Sequence, residues 1–205
     1  MSELKHIKTA LISVFSKDGL DELVLALSQH DVQIISTGGT QKYIESLGVS
    51  VTPVEDITSY PSILGGRVKT LHPKIFGGIL SRRENKGDGK HLSEFEIPEI
   101  DLVVVDLYPF DKTVSLGASH NDIIEKIDIG GVSLIRAAAK NYEDITVISN
   151  KSHYKVLVDI ISKYGVSVKK YFSMPHYLKI ILDFQPHFEY NICHERIFKA
   201  TMVDT

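Results

Sequence analysis

Hydrophobic and polar positions over the first 164 residues alternate between two periods. The run at 7–14 is short, apolar and rich in branched residues, as in a buried strand, and residues 18–30 then place leucines at helical spacing. The same two patterns recur, predicting strands at 32–35, 49–54, 102–105 and 145–148 and helices at 41–47, 133–140 and 153–164. This alternation predicts an α/β fold with three layers, α/β/α, around a mainly parallel sheet.

Two segments fit neither period. Residues 57–80 are rich in glycine and proline, and residues 82–89 are polar and end in Lys-Gly-Asp-Gly, which predicts an exposed loop. In a parallel sheet of this kind, ligands bind beyond the carboxyl ends of the strands. The residues that follow each strand are therefore the candidates for function.

Composition narrows the class of protein. The chain has 205 residues, 43% of them apolar and 24% charged, with a formal net charge of −3, which suits one domain with an appendage and argues against a nucleic-acid-binding protein. The single cysteine, Cys193, excludes a disulfide framework and a multi-cysteine zinc site. No apolar run of about 18 residues and no signal peptide is visible, so we expect a cytoplasmic protein with no membrane partner.

The end of the second predicted strand has the features of a phosphate site. Residues 36–40 read Ser-Thr-Gly-Gly-Thr and open a helix, where hydroxyls and free backbone amides suit a phosphate and glycines let the backbone approach it. A plain turn with a capping threonine is the alternative. Lys17 follows the first strand and would add a cation, unless it is an ordinary surface lysine.

A second group of cations follows a glycine pair. Arg67 and Lys69 come directly after Gly65 and Gly66. In an extended segment, residues two apart face the same way, so we expect both cations to point at one anion. Ordinary surface charge is the alternative.

The last candidates follow the fourth strand and open a later helix. Asp106 and Tyr108 come after 102–105, although Tyr108 could instead pack as an aromatic ring with its hydroxyl at the rim of the site. Asp128 precedes a Gly-Gly pair and a helix on which Arg136 and Lys140 share a face. Taken together, the strand ends predict a small site for an anionic ligand with one or two acid/base groups.

Four segments together resemble a known enzyme family. They are STGGT at 36–40, LGGRVKTLHP at 64–73, DLYPF at 106–110 and DIGGVSLIRAAAKN at 128–141. They resemble the IMP cyclohydrolase domain of bifunctional purine-biosynthesis proteins that pair it with AICAR transformylase. The resemblance covers about residues 7–164 and implies a methylglyoxal-synthase-like fold.

The resemblance also implies a reaction. The family closes the ring of 5-formamidoimidazole-4-carboxamide ribotide with loss of water to give IMP, without a metal or organic cofactor. Lys69, Tyr108, Asp128 and Lys140 match its catalytic positions. We assign Lys69 and Tyr108 to the developing oxyanion and Asp128 and Lys140 to proton transfer, and expect burial beside Asp128 to tune Lys140.

Further positions match substrate contacts of the family. They are Ser13, Lys17, Thr37, Gly38, Gly39, Thr40, Arg67, Thr70, Asp106, Gly130 and Gly131. The family often has asparagine where this chain has Asp106. An ionised carboxylate accepts hydrogen bonds but donates none, so contact with the purine base is expected to differ there, or to come from the backbone nearby.

Residues 165–205 are predicted as an atypical extension of a domain at 1–164. They carry seven of the 17 aromatic residues and match the family poorly. Pro175 and Pro186 would interrupt the family's helix, through either a shifted reading frame between about Met174 and Cys193 or real divergence. The irregular spacing of His176, His187 and His194 argues against a metal site.

Several alternatives to the cyclohydrolase stay open. A regulatory domain of the same fold could bind a phosphorylated metabolite without chemistry, the chain could be a methylglyoxal synthase, or it could be an inactive fragment. Transformylase activity is not expected from a chain of this length. A homodimer is the assembly that the resemblance suggests.

Overall fold

A five-stranded, all-parallel sheet forms the centre of the chain, which this computed structural model describes over residues 5–168. Its strands are β2 Thr9–Ser13, β3 Gln33–Ser36, β4 Thr52–Pro53, β5 Leu102–Val105 and β6 Thr146–Ile148, and a separate two-stranded sheet consists of β1 Lys5–His6 and β7 Ser167–Val168. The order in the sheet is β4-β3-β2-β5-β6, with Leu11 of β2 opposite Ile35 of β3 and Val103 of β5. The parallel α/β architecture is therefore confirmed.

Helices cover both faces of this sheet. They are α1 Leu20–Ser28, α2 Gly38–Ser46, α3 Val54–Thr58, α4 Pro73–Leu80, α5 Lys86–Glu94, α6 Phe110–Ser115, α7 His120–Ile124, α8 Gly130–Lys140 and α9 Tyr154–Tyr164, with 3₁₀ turns at Leu64–Gly66 and Lys151–His153. The longest have 11 residues, and within 5–168 no helix could cross a membrane.

Alternation along the strands divides the core in two. Ile12 and Val104 point to one face and pack in a cluster that includes residues of α1 and α9. Leu11 and Val103 point to the other face and pack in a cluster that includes residues of α4 and α8. Because successive strand residues face opposite sides, the all-apolar strands require helices on both faces.

Two local predictions were wrong. The strand predicted at 49–54 shrinks to β4 because α3 already begins at Val54, directly after Pro53, which has no N–H to donate to a ladder. The polar segment at 82–89 is not simply a loop. The side chain of Asn85 accepts hydrogen bonds from the N–H groups of Gly87 and Asp88 and so caps α5.

The two ends of the described chain meet. β1 and β7 pair antiparallel, with Lys5 opposite Val168, and Val166 is buried in the core. The domain division at residue 164 stays a prediction. The features noted at Met174, Pro175, His176, Pro186, His187, Cys193 and His194 lie outside the described residues.

Candidate functional site

Five segments at the carboxyl edge of the sheet contact one another in a closed ring. They are residues 13–17, 37–40, 66–70, 106–108 and 128–131, and we call them the rim. Ser13 ends β2 within the first of them. This ring is the arrangement that the strand ends predict for a ligand site in a parallel sheet.

Lys17 joins the first segment to the second. Its ammonium donates to the hydroxyl of Thr40 at 3.1 Å, to the carbonyl of Phe15 at 3.2 Å and to the carbonyl of Val14. The buried Thr40 hydroxyl in turn donates to that Val14 carbonyl at 2.9 Å. Burial lowers the pKa of Lys17, against the opposing charge of Asp106. Lys17 is thus tied into the rim and is not an ordinary surface lysine.

The N-terminus of α2 lies in the second segment. The helix begins at Gly38, three residues earlier than predicted, with φ of 55° at that glycine. The Thr37 hydroxyl is buried and has no hydrogen-bond partner within 5–168, and the space beside Gly39 is open. The first N–H groups of a helix lack intrahelical acceptors, so this segment suits a phosphate oxygen.

Lys69 connects the second segment to the third. Its ammonium lies 3.0 Å from the point that a Cβ at Gly38 would occupy and 3.4 Å from the corresponding point at Gly66. Both glycines have positive φ. Because Gly38 and Gly66 have no side chains, a space remains beside the N-terminus of α2, and the Lys69 ammonium occupies it.

Arg67 points elsewhere, so the expectation that it faces one anion together with Lys69 was wrong. Residues 64–70 form a 3₁₀ turn and further turns, not an extended segment. In a helical turn, residues two apart do not share a face. The Arg67 guanidinium instead pairs with Glu125, and both side chains are largely exposed.

Thr70 and Gly130 connect the third segment to the fifth. The buried Thr70 places its hydroxyl 3.0 Å from the point that a Cβ at Gly130 would occupy. The sequence predicted both as substrate contacts, and the structure brings them together where α8 begins. Any larger residue at Gly130 would push against this hydroxyl.

Asp128 lies half-buried in the fifth segment, 128–131. Its Oδ1 accepts from the backbone N–H of Gly131 at 2.6 Å, and a Cβ at Gly131 would come within 2.8 Å of that oxygen. Burial raises the pKa of Asp128 and the charge of Asp106 raises it further, while backbone N–H groups, including that of Tyr108, oppose this. A carboxyl group with a raised pKa suits proton transfer.

Asp106 closes the ring. One of its carboxylate oxygens accepts from the N–H of Phe15 and the other from the N–H of Ser16, at 2.9 Å. Both oxygens therefore hold the loop after β2. An asparagine at this position would offer one acceptor oxygen instead of two.

Tyr108 stands at the open side of the rim. Its exposed ring meets that of Phe15 edge-on, with centroids 5.3 Å apart. The ammonium of Lys126 lies 5.1 Å from the Tyr108 centroid and 5.6 Å from that of Phe15. Sequence reasoning missed Phe15 and Lys126, although an aromatic residue directly after the predicted strand at 7–14 was a signal.

Lys140 is not at the rim. At about 1.5 Å per residue, α8 carries it about 15 Å from Gly130. The next residue, Asn141, donates to the carbonyls of Ile79 and Ser81 at the end of α4. Lys140 is exposed, so its expected burial beside Asp128 was wrong, and direct proton exchange between them cannot occur within one chain. Its catalytic role stays a prediction.

No cluster of three or more histidine, cysteine, aspartate or glutamate side chains within 5–168 is placed to hold a metal ion. The rim instead offers three kinds of group. These are backbone amides with hydroxyls at α2, the ammonium groups of Lys17 and Lys69, and the carboxyl of Asp128. Such a set can bind an anion and move a proton.

Both the structure and the sequence of this chain are similar to those of known proteins. A crystal structure titled "Crystal structure of ForH" superposes with a TM-score of 0.69 at 29% identity, covering 87% of this chain and 90% of that one. The bifunctional purine biosynthesis protein PurH of Bacteroides thetaiotaomicron is 60% identical over 167 residues, covering 82% of this chain and 33% of that protein. PurH of Rhodospirillum rubrum is 50% identical over 159 residues, covering 78% and 30%.

The chain therefore spans about a third of the length of the curated relatives that it matches. The profile of the family described as "MGS-like domain" matches residues 19–133, which is more than half of the chain. This confirms the predicted methylglyoxal-synthase-like fold, and the chain belongs to the family of MGS-like domains.

Proposed function

We propose that this domain is an IMP cyclohydrolase, which closes the ring of 5-formamidoimidazole-4-carboxamide ribotide to give IMP and water in purine biosynthesis. One observation carries the proposal: Lys69, Tyr108 and Asp128 belong to the same closed rim as the N-terminus of α2. The names of the relatives support a purine-biosynthetic role. Because the chain spans about a third of the length of these relatives, we infer its own activity from the site.

The phosphate of the ribotide is assigned to the second segment of the rim. There the buried hydroxyl of Thr37 has no protein partner within 5–168, and the backbone beside Gly39 is open. Lys17 and Lys69 flank this segment with two ammonium groups. Helix amides and two cations give a phosphate both directed hydrogen bonds and charge.

The reaction requires two protons to leave nitrogen and two protons to reach the oxygen that departs as water. The carboxamide nitrogen loses a proton as it attacks the formyl carbon, a C–N bond forms, and the carbonyl oxygen gains negative charge. That oxygen takes up one proton to become a hydroxyl and a second to leave as water, while the formamido nitrogen loses its proton and forms the C=N bond of the ring. The raised pKa of Asp128 supports its assignment to these proton transfers, and Lys69 and Tyr108 are assigned to the developing oxyanion.

Lys140 is not used in this mechanism for a single chain. It lies at the far end of α8 from Asp128. Asp128 therefore carries the proton-transfer assignment here, and Lys140 exchanges no proton with it directly in one chain.

The test is ring closure by the purified chain. We expect the chain to convert the formamido ribotide to IMP, which is measured by the absorbance of IMP. The variant Lys69→Ala should lower turnover by at least about a hundredfold. Lys90→Ala is the matched control, because Lys90 is an exposed lysine on α5 outside the rim. Both variants should keep the melting temperature of the wild type to within a few degrees.

Three results would contradict the proposal. A folded wild-type chain that binds IMP without forming it from the ribotide would favour a sensing domain. Release of methylglyoxal from a triose phosphate would favour a methylglyoxal synthase. Normal turnover in Lys69→Ala would show that Lys69 does not stabilise the oxyanion, and the assignment depends on that role.

A further inference from the structure

The connection between α7 and α8 places a lysine against the aromatic side of the rim. Lys126 is partly buried, and its ammonium lies over the rings of Tyr108 and Phe15 at 5.1 and 5.6 Å from the centroids. A cation at this distance from an aromatic face is attracted by the ring's charge distribution. The lysine therefore contacts both members of an aromatic pair that already meet edge-to-face.

Residues on both sides of Lys126 hold the connection between α7 and α8 in place. Glu125 pairs with Arg67 of the third rim segment, and Asp128 accepts from the backbone N–H of Gly131. The backbone N–H of Lys126 donates to the carbonyl of Ile123 at 3.0 Å. With contacts on both sides, the connection presents Lys126 to the rings from a fixed position.

The orientation of Tyr108 needs such support. Its side chain is 41% exposed, so core packing does not determine where its hydroxyl points. Phe15, which is 49% exposed, touches the ring from one side, and Asp106 holds the backbone of the Phe15 loop. Lys126 contacts the rings of both loops.

We propose that Lys126 is a positioning residue for the ring-closing reaction: it holds Tyr108 against Phe15 and so directs the Tyr108 hydroxyl into the site. This inference rests on the proposed function, because it supposes that the hydroxyl acts on the oxyanion. Lys126 and Phe15 then form, with Tyr108, an aromatic–cation wall of the active site. The role requires a cation with an extended stem, which arginine also provides.

The kinetic test compares Lys126→Met with Lys126→Arg. Methionine removes the charge at similar length, and we expect kcat to fall about three- to tenfold, the range that one cation–π contact allows, with KM within about twofold. Arginine should keep at least about half of kcat, because a guanidinium also binds aromatic faces. Lys90→Met makes the same change of net charge on exposed α5 and should leave both constants unchanged.

A double-mutant cycle separates positioning from general damage. Tyr108→Phe keeps the ring and removes the hydroxyl, so in that background the orientation of the ring no longer affects the oxyanion. Lys126→Met should then change kcat less than about twofold. An equal loss in both backgrounds, or no loss in wild type, would overturn the inference.

A second measurement does not depend on turnover. We expect NMR contacts between the ring protons of Phe15 and Tyr108 in the ligand-free wild type, in Lys126→Arg and in Lys90→Met, and their loss in Lys126→Met. If wild type forms no IMP, the proposed function fails while this measurement still tests the wall. If wild type forms IMP and the contacts persist in Lys126→Met, the positioning role alone is wrong.

Discussion

The ammonium of Lys69 lies against the backbone of Gly38, 3.0 Å from the point that a side-chain carbon at that glycine would occupy. The two residues belong to different loops, and each depends on the other. The lysine needs the space that the glycine leaves, and the first turn of α2 gains a cation where a phosphate is proposed to bind.

Gly38→Ala should displace Lys69 and lower ring closure about tenfold, because catalysis is sensitive to misplacement of about 1 Å. The positive φ at this position should also lower the free energy of unfolding by about 1 kcal/mol. Gly48→Ala is the matched control, because Gly48 has φ of 76° and nothing within 4 Å of its Cβ point. We expect equal losses of stability from the two variants, by urea unfolding, and a loss of turnover from Gly38→Ala alone. Equal turnover would mean that the ammonium is not held at Gly38.

Asp128→Asn should inactivate the protein and remove a pH-dependent part of its stability. Burial raises the pKa of Asp128, so the folded state binds a proton there more tightly than the unfolded state does. The ionised carboxylate is therefore destabilising above the raised pKa, and that effect fades as pH falls through it.

The melting temperature of Asp128→Asn, taken relative to that of wild type, should consequently be higher at about pH 7.5 than near pH 4, the ordinary range of an aspartate. Turnover should fall by at least about a hundredfold. Asp159→Asn, at an exposed aspartate on α9, controls for the change of net charge. A difference in melting temperature that did not vary with pH would contradict the assignment.

Asp106→Asn tests the loop that closes the rim. Asparagine has one acceptor oxygen for two backbone donors, so the N–H of Phe15 or Ser16 loses its partner. We expect the free energy of unfolding to fall by about 1–2 kcal/mol. Because the charge of Asp106 also contributes to the raised pKa of Asp128, the acid limb of the pH–rate profile should move to lower pH. Unchanged stability would show that the loop does not depend on the second oxygen.

Lys140→Ala should leave the affinity for IMP within about twofold of wild type, because about 15 Å exceeds the screening length of about 8 Å in physiological salt. Calorimetric titration of IMP checks this, with Lys69→Ala as the variant that weakens binding. Weakening by more than about tenfold would mean that a second copy brings its own Lys140 to the rim. Sedimentation of the wild type with IMP would then show a dimer.

Local pattern predicted most of the sheet. The run at 102–105 is apolar on both faces, and it became the buried strand β5 without change. The helix α5 was missed because two glycines weaken its pattern, while its start depends on the side chain of Asn85. Cap geometry of this kind is visible only once the backbone is placed.

Directions of side chains at the site were harder to predict. Arg67 and Lys69 diverge because Gly65 and Gly66 adopt positive φ and turn the chain, which two glycines permit but do not dictate. The contact of Lys126 with Phe15 joins segments 111 residues apart, beyond any local period. The distance of Lys140 from Asp128, by contrast, could have been predicted, since twelve residues make more than three turns of helix.

The pairing of β1 with β7 determines where attachments to this domain can go. Both strands lie at the amino edge of the sheet, where β2 begins and α9 ends, so residues 5 and 168 emerge side by side. A tag, a fluorescent protein or a surface tether joined at either point therefore hangs on the side away from the rim. A load applied between the two points would peel β1 from β7 one residue pair at a time before any strand of the parallel sheet bore tension.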